Sequence, residues 1–92
     1  MEITRTLPIT HKYGLHARAS TKFAEVAQQF RAAVFLARAG ASDGEVDGKS
    51  VLGILTLGIE LGHEIVLRVE GDDAEAAIAA LEELVRADFH GV

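Results

Sequence analysis

An open-faced α+β sandwich, one sheet with helices packed on a single face, is the fold class this 92-residue sequence predicts. Three observations carry it. Some segments alternate apolar and polar residues, others repeat apolar residues every three to four positions, and the two kinds follow one another as strand, helix, strand, strand, short helix, strand, helix. Alternation of this kind describes a sheet with one face on a core and the other in water. An apolar content of 49% with a single Pro suits one domain spanning 1–92, and excludes separate cofactor and substrate domains.

The first strand is expected over residues 2–9, with Ile3, Leu7 and Ile9 on one side and Thr4 and Thr6 on the other. Pro8 cannot donate a ladder hydrogen bond, which places this strand at an edge or Pro8 at a break in its pairing. A loop, Thr10-His11-Lys12-Tyr13-Gly14, follows. The period then lengthens: Ala19, Phe23, Val26 and Phe30, with Ala27 beside them, make the apolar stripe of a helix over about 17–30.

Residues 33–38 read as a short strand, and Ala41-Ser42-Asp43-Gly44 has the composition of a turn. Glu45-Val46-Asp47 then returns as a short antiparallel strand. Ser50 is the candidate N-cap of a largely apolar helix running to about 57, with Gly58 and Gly62 as stop signals. Residues 64–70 set Ile65, Leu67 and Val69 against Glu64, Val66, Arg68 and Glu70, a strong strand pattern. In the final helix Asp72 is the expected cap with Glu75 completing a capping box, and Ala74, Ala77, Ile78, Leu81, Leu84 and Val85 are the buried stripe. Phe23, Phe30 and Phe35 are assigned to the core, Phe89 to the end of the last helix, and His11, His63 and His90 to loops or the terminus.

Charge narrows the function. Nine Lys plus Arg against fourteen Asp plus Glu give a net charge of −5, the wrong sign for binding nucleic acid through its phosphates. No apolar run approaches the roughly 18 residues of a membrane span, and Met1 to Arg5 lack the pattern of an export signal. The absence of Cys permits a reducing compartment, so a cytoplasmic protein is expected. The four His residues show no helical metal spacing, and the carboxylates Glu70, Asp72, Asp73 and Glu75 lack the oxygen and glycine pattern of a calcium loop. Neither metal nor cofactor is expected. Gly48-Lys49-Ser50 has the end of a phosphate-binding loop without its first Gly, and turn and cap roles explain it better.

Chemistry concentrates in Gly14-Leu15-His16-Ala17-Arg18-Ala19-Ser20. This segment puts an imidazole where a Gly-containing loop enters the first helix, with a guanidinium two residues on. Main-chain N–H groups at a helix start attract a phosphoryl group and disfavour a second positive charge on a nearby imidazole. A neutral imidazole is a usable nucleophile, and Arg18 can balance the charge that a phosphoryl group brings. The alternative is structural: His16 as a polar first-turn residue and Arg18 as a solvated one.

The string GLHARAS, followed by Lys49-Ser50-Val51-Leu52-Gly53-Ile54-Leu55-Thr56-Leu57-Gly58, closely resembles the two signatures of the HPr family, the histidine-containing phosphocarriers of the bacterial sugar phosphotransferase system. The resemblance covers essentially the whole chain. It implies a four-stranded antiparallel sheet with three helices on one face, in the order βαββαβα, and a monomer. It further implies that His16 accepts a phosphoryl group on Nδ1 from phospho-Enzyme I and passes it to a IIA-type acceptor, acting as a carrier without turnover of its own. Arg18 would sit beside that group, and Ala17 and Arg18 would supply main-chain N–H groups. Ser50 matches a position that an HPr kinase phosphorylates in some members. Val51, Leu52 and Leu55 match the apolar patch that docks on partners, and Ala19 and Ser20 are placed in the same partner-binding set.

One departure is visible. The family usually carries Pro directly after the motif's Arg, whereas this chain has Ala19, which leaves the helix start less rigid and offers one more N–H donor near His16. Altered transfer rates, with function retained, are expected. The HKYGLHA loop and LVRADFHGV also look like nitrogen-branch members of the family, so a regulator outside sugar transport, or an effector acting through Ser50, is the alternative. A purely structural α+β domain would require both motifs to coincide by chance.

Overall fold

Alternating apolar residues direct four strands into one antiparallel sheet in the computed structural model, which describes residues 1–42 and 44–92. The strands are β1 (Glu2–Pro8), β2 (Ala33–Arg38), β3 (Val46–Asp47) and β4 (Glu64–Glu70), in the order β1-β4-β2-β3. β1 is therefore an edge strand, where Pro8 can stand opposite Glu64 at the end of the ladder. The strong period of β4 suits its central place. Its Ile65, Leu67 and Val69 are buried, with Leu7 opposite Ile65 on one side and Leu36 and Val34 opposite Leu67 and Val69 on the other.

Three helices cover that apolar face: α1 (Ala17–Ala27), α2 (Val51–Leu55) and α3 (Ala74–Arg86). Phe23 and Ala27 of α1, Ile54 of α2, and Ala77, Leu81 and Val85 of α3 join the strand residues in one continuous core. The open-faced α+β sandwich is the observed architecture. No helix among the described residues is long and apolar enough to cross a membrane.

Boundaries and faces differ in detail from the sequence pattern. α1 ends at Ala27, so Phe30 lies beyond it and is only partly buried against the core. α2 ends at Leu55, and β3 starts at Val46, one residue after Glu45. The turn assigned to 41–44 includes Asp43, which lies outside the described residues. Phe35 is corrected outright: β2 alternates, and with Val34 and Leu36 inward its ring lies on the open face, 4.2 Å from the Arg68 guanidinium. Arg68 also donates to both Glu45 carboxylate oxygens, at 2.7 and 2.8 Å, and this hydrogen bonding holds the Glu45 carboxyl below its ordinary pKa.

The start of α3 is a second correction. The residue before the helix is Asp73, not Asp72, and it makes no side-chain cap bond. Its carboxylate turns away to accept the main-chain N–H groups of Arg31 and Ala32, at 2.9 and 2.8 Å. Those donors hold the Asp73 carboxyl below the usual aspartate range. Gly71 makes this approach possible, since a Cβ there would lie 2.8 Å from the Ala32 Cα. The end of β4 is thus fastened to the entry of β2, which fixes the sheet at the end away from Pro8.

Candidate functional site

The loop before α1 is shaped by one glycine. Gly14 has φ +63°, and a Cβ on it would fall 2.3 Å from the Ile59 carbonyl oxygen. Leu15 N–H donates to that same oxygen at 3.0 Å, tying the loop to the segment after α2. With Leu15 buried, the chain must turn outward at the next residue. That residue is His16, with an extended backbone at φ −71° and ψ 179°, and it is the N-cap of α1.

Capping by an imidazole has a chemical consequence. His16 Nδ1 accepts the Arg18 main-chain N–H at 3.1 Å, so Nδ1 is the bare nitrogen of the ring. The other nitrogen, Nε2, lies 3.3 Å from the main-chain oxygen of Val92, an acceptor, and so carries the hydrogen. The ring is held in one tautomer with its lone pair directed at a helix start. The first turn of α1 contains no acidic residue to occupy that partial positive charge. Arg18 is exposed and, among the described residues, pairs with no carboxylate. A bare ring nitrogen, the Arg18 main-chain N–H that it accepts and a guanidinium without a carboxylate partner among the described residues therefore share one open cleft, lined by His11, Lys12, Tyr13, His16, Arg18, Gly91 and Val92.

The residues named from sequence fall into two groups. Ala17 and Arg18 are exposed at the helix start beside His16, whereas Ala19 and Ser20 are fully buried. That corrects their assignment to a partner-binding set, because neither presents side-chain surface: Ala19 packs in the core, and Ser20 Oγ donates to the Leu15 carbonyl at 3.0 Å. Ser50 caps α2, its Oγ accepting the Gly53 N–H at 3.0 Å. Beyond it Leu52 is 77% exposed and Leu55 39%, with Val51 partly buried. Lys49 is committed to structure, its Nζ donating to the Phe30 carbonyl at 2.8 Å, and a Cβ on Gly48 would lie 2.6 Å from Val34 Cγ1. The Gly48-Lys49-Ser50 string is thus a packing and capping device.

What the sequence pattern did not reach is the far end of the chain. Asp88, Phe89 and His90 have φ of +50°, +56° and +57°, a left-handed turn without glycine that costs roughly 1–2 kcal/mol per residue. Burial of Phe89 offsets this, and Asp88 accepts a hydrogen bond from Thr10 Oγ1. The turn returns Val92 to the loop before α1. His11, expected in a loop and found in one, is only 8% exposed there, with its ring 5.0 Å from that of His16 and 6.2 Å from Phe89. Its position five residues before His16 in the same loop was the one available signal.

A small open-faced sandwich whose first helix is capped by an imidazole with one bare nitrogen has the parts needed to carry a covalently held group. Residues 3–87 match the family model described as PTS HPr component phosphorylation site. The chain is 37% identical over 87 residues to phosphocarrier protein HPr of Neisseria meningitidis, covering 95% of this chain and 94% of that one. It is also 39% identical over 88 residues to phosphocarrier protein NPr of Shewanella violacea, covering 96% and 93%. Among solved structures, HPr-C-His from Thermoanaerobacter tengcongensis superposes with a TM-score of 0.87 at 35% identity, covering 96% of each chain. The chain belongs to the HPr family of phosphotransferase-system phosphocarriers.

Proposed function

We propose that residues 1–92 act as one phosphocarrier domain that accepts a phosphoryl group on His16 Nδ1 from phospho-Enzyme I and passes it to IIA-type acceptors. The observation that carries this reading is the bonding of His16: Nδ1 accepts the Arg18 main-chain N–H at the start of α1, which leaves the ring hydrogen to Nε2, 3.3 Å from the Val92 oxygen. In the transfer, the Nδ1 lone pair forms the new N–P bond as the N–P bond to the donor imidazole breaks. His16 gives up no proton, because Nε2 keeps its hydrogen throughout. The Arg18 N–H that had bonded Nδ1 is released to a phosphoryl oxygen, joined by the Ala17 N–H and the Arg18 guanidinium. The protein is a carrier without turnover of its own, cytoplasmic and monomeric, and it needs no metal or cofactor.

Val51, Leu52 and Leu55 form the docking face for these partners, supported by the exposure of Leu52 and Leu55 on a helix whose other side is core. Ser50 is a regulatory phosphorylation site for an HPr kinase, compatible with its place at the first turn of α2. A nitrogen-branch role outside sugar transport is the second reading, favoured by the similarity to an NPr over nearly the whole chain.

Intact-mass spectrometry after incubation with phosphoenolpyruvate and Enzyme I, at neutral to basic pH, tests the central step. One acid-labile phosphoryl group is expected on the wild type and none on His16→Ala. No gain with an Enzyme I shown to be active on another carrier overturns the reading.

A further inference from the structure

Two imidazoles, not one, converge on the Val92 oxygen. His11 Nε2 lies 2.5 Å from it and His16 Nε2 3.3 Å, so both rings donate to a single acceptor with two lone pairs. The parallel extends to the other nitrogen. His11 Nδ1 accepts the main-chain N–H of Tyr13 at 3.2 Å, as His16 Nδ1 accepts that of Arg18 at 3.1 Å, each from the residue two positions on. His11 is the better held of the two: it is nearly buried, and Phe89 and Tyr13 lie within 6.2 and 5.9 Å of its ring.

We infer that His11 is a positioning residue for His16: it anchors the Val92 oxygen in the cleft, and that oxygen in turn holds the hydrogen of His16 on Nε2 and leaves Nδ1 bare for phosphoryl transfer. The hydrogen bond from His11 fixes the orientation of an acceptor whose chain segment is also secured by Phe89 and Val92 against the core, by the Asp88–Thr10 bond and by the turn's own main-chain bonds. Without it the Val92 oxygen is less firmly placed, and a larger share of the His16 hydrogen moves to Nδ1 against the Arg18 N–H that favours the bare form. Phosphoryl acceptance at Nδ1 then slows in proportion to the fraction of the wrong tautomer. The inference rests on the phosphocarrier reading for its purpose, though not for its physical content.

The test is therefore built on a spectroscopic signature that needs no phosphoryl donor. Imidazole 15N chemical shifts of His16 are recorded at mildly alkaline pH for wild type, His11→Ala and His11→Gln, the last chosen because its amide N–H can stand in for Nε2–H. In the wild type, a bare-nitrogen signal at Nδ1 and a protonated-nitrogen signal at Nε2 are expected. His11→Ala should shift the tautomer ratio towards Nδ1–H by up to about fivefold, the factor one hydrogen bond is worth, with His11→Gln recovering most of it. Rates of phosphorylation by phospho-Enzyme I should follow the same order.

Unchanged His16 shifts in His11→Ala overturn the inference, as does an equal change in both variants, which would make ring bulk the cause. Should thermal melting show that His11→Ala has lost its fold, His11→Phe keeps the ring and removes both nitrogens, and the same two outcomes apply. A wild type that shows the expected shifts and yet takes no phosphoryl group defeats the phosphocarrier reading alone. A wild type that is phosphorylated normally while His11→Ala leaves the shifts unmoved defeats this inference alone.

Discussion

α1 and α2 begin in the same way and offer different chemistry. Each is preceded by a residue in extended conformation, His16 at φ −71° and Ser50 at −108°, whose side chain accepts a main-chain N–H from the first turn. Ser50 does this with a hydroxyl oxygen, a good cap, and its helix of 5 residues needs the help. His16 does it with an imidazole nitrogen, and its 11-residue helix is held by core packing through Phe23 and Ala27 as well. Core packing lets α1 carry an imidazole cap, which leaves a bare ring nitrogen at the helix start. The start of α3 makes a third case, since Asp73 forgoes capping to tie two strands' connections together.

The contrast breaks most sharply at the entry to α1. Gly14→Ala puts a Cβ 2.3 Å from the Ile59 oxygen at a positive φ, so a loss of roughly 3 kcal/mol is expected from the left-handed conformation and overpacking together. Denaturant unfolding measures it, and phosphoryl acceptance should fall too because the loop carrying His16 is displaced. Cap loss at α2 is a smaller effect. Ser50→Ala should cost about 1 kcal/mol by the same measurement and leave the end point of His16 phosphorylation unchanged. A Ser50→Ala protein that cannot be phosphorylated at His16 would mean that the two helix starts are not separable.

The smallest effect belongs to α3. Because the Asp73 carboxyl is held below the ordinary aspartate range in the folded chain, its contribution is present above the unfolded-state pKa and is lost as pH falls through the folded one. Asp73→Asn should therefore melt below the wild type at neutral pH, and the gap should close on acidification below the usual aspartate range. A gap that stays constant across that range would show that the charge of Asp73 is not what ties residues 31 and 32.

These differences also separate what is legible in residue order from what is not. The strand period of Ile65, Leu67 and Val69, the cap at Ser50 and the loop-to-helix junction at His16 all depend on residues within a few positions of one another, and each was found where its pattern placed it. Phe35 was misplaced because a short apolar run does not say which of its residues face inward. That was settled by pairing with β4, where Phe35 stands opposite Arg68. Ala19 and Ser20 sit beside the site in sequence and are buried beneath it in space, a consequence of the helix turning its stripe to the core.

The succession of elements, the core stripe of each and the place of His16 and Arg18 at the start of α1 were readable from residue order, because period, capping and turn chemistry act over a few residues. The burial of Phe89, the reach of the Val92 oxygen to His16 across 76 positions and its sharing with His11 came from long-range packing. Those contacts join the two ends of the described chain. Their formation depends on β1 lying at the sheet edge beside β4, with α3 packed against both, an arrangement that no local pattern records.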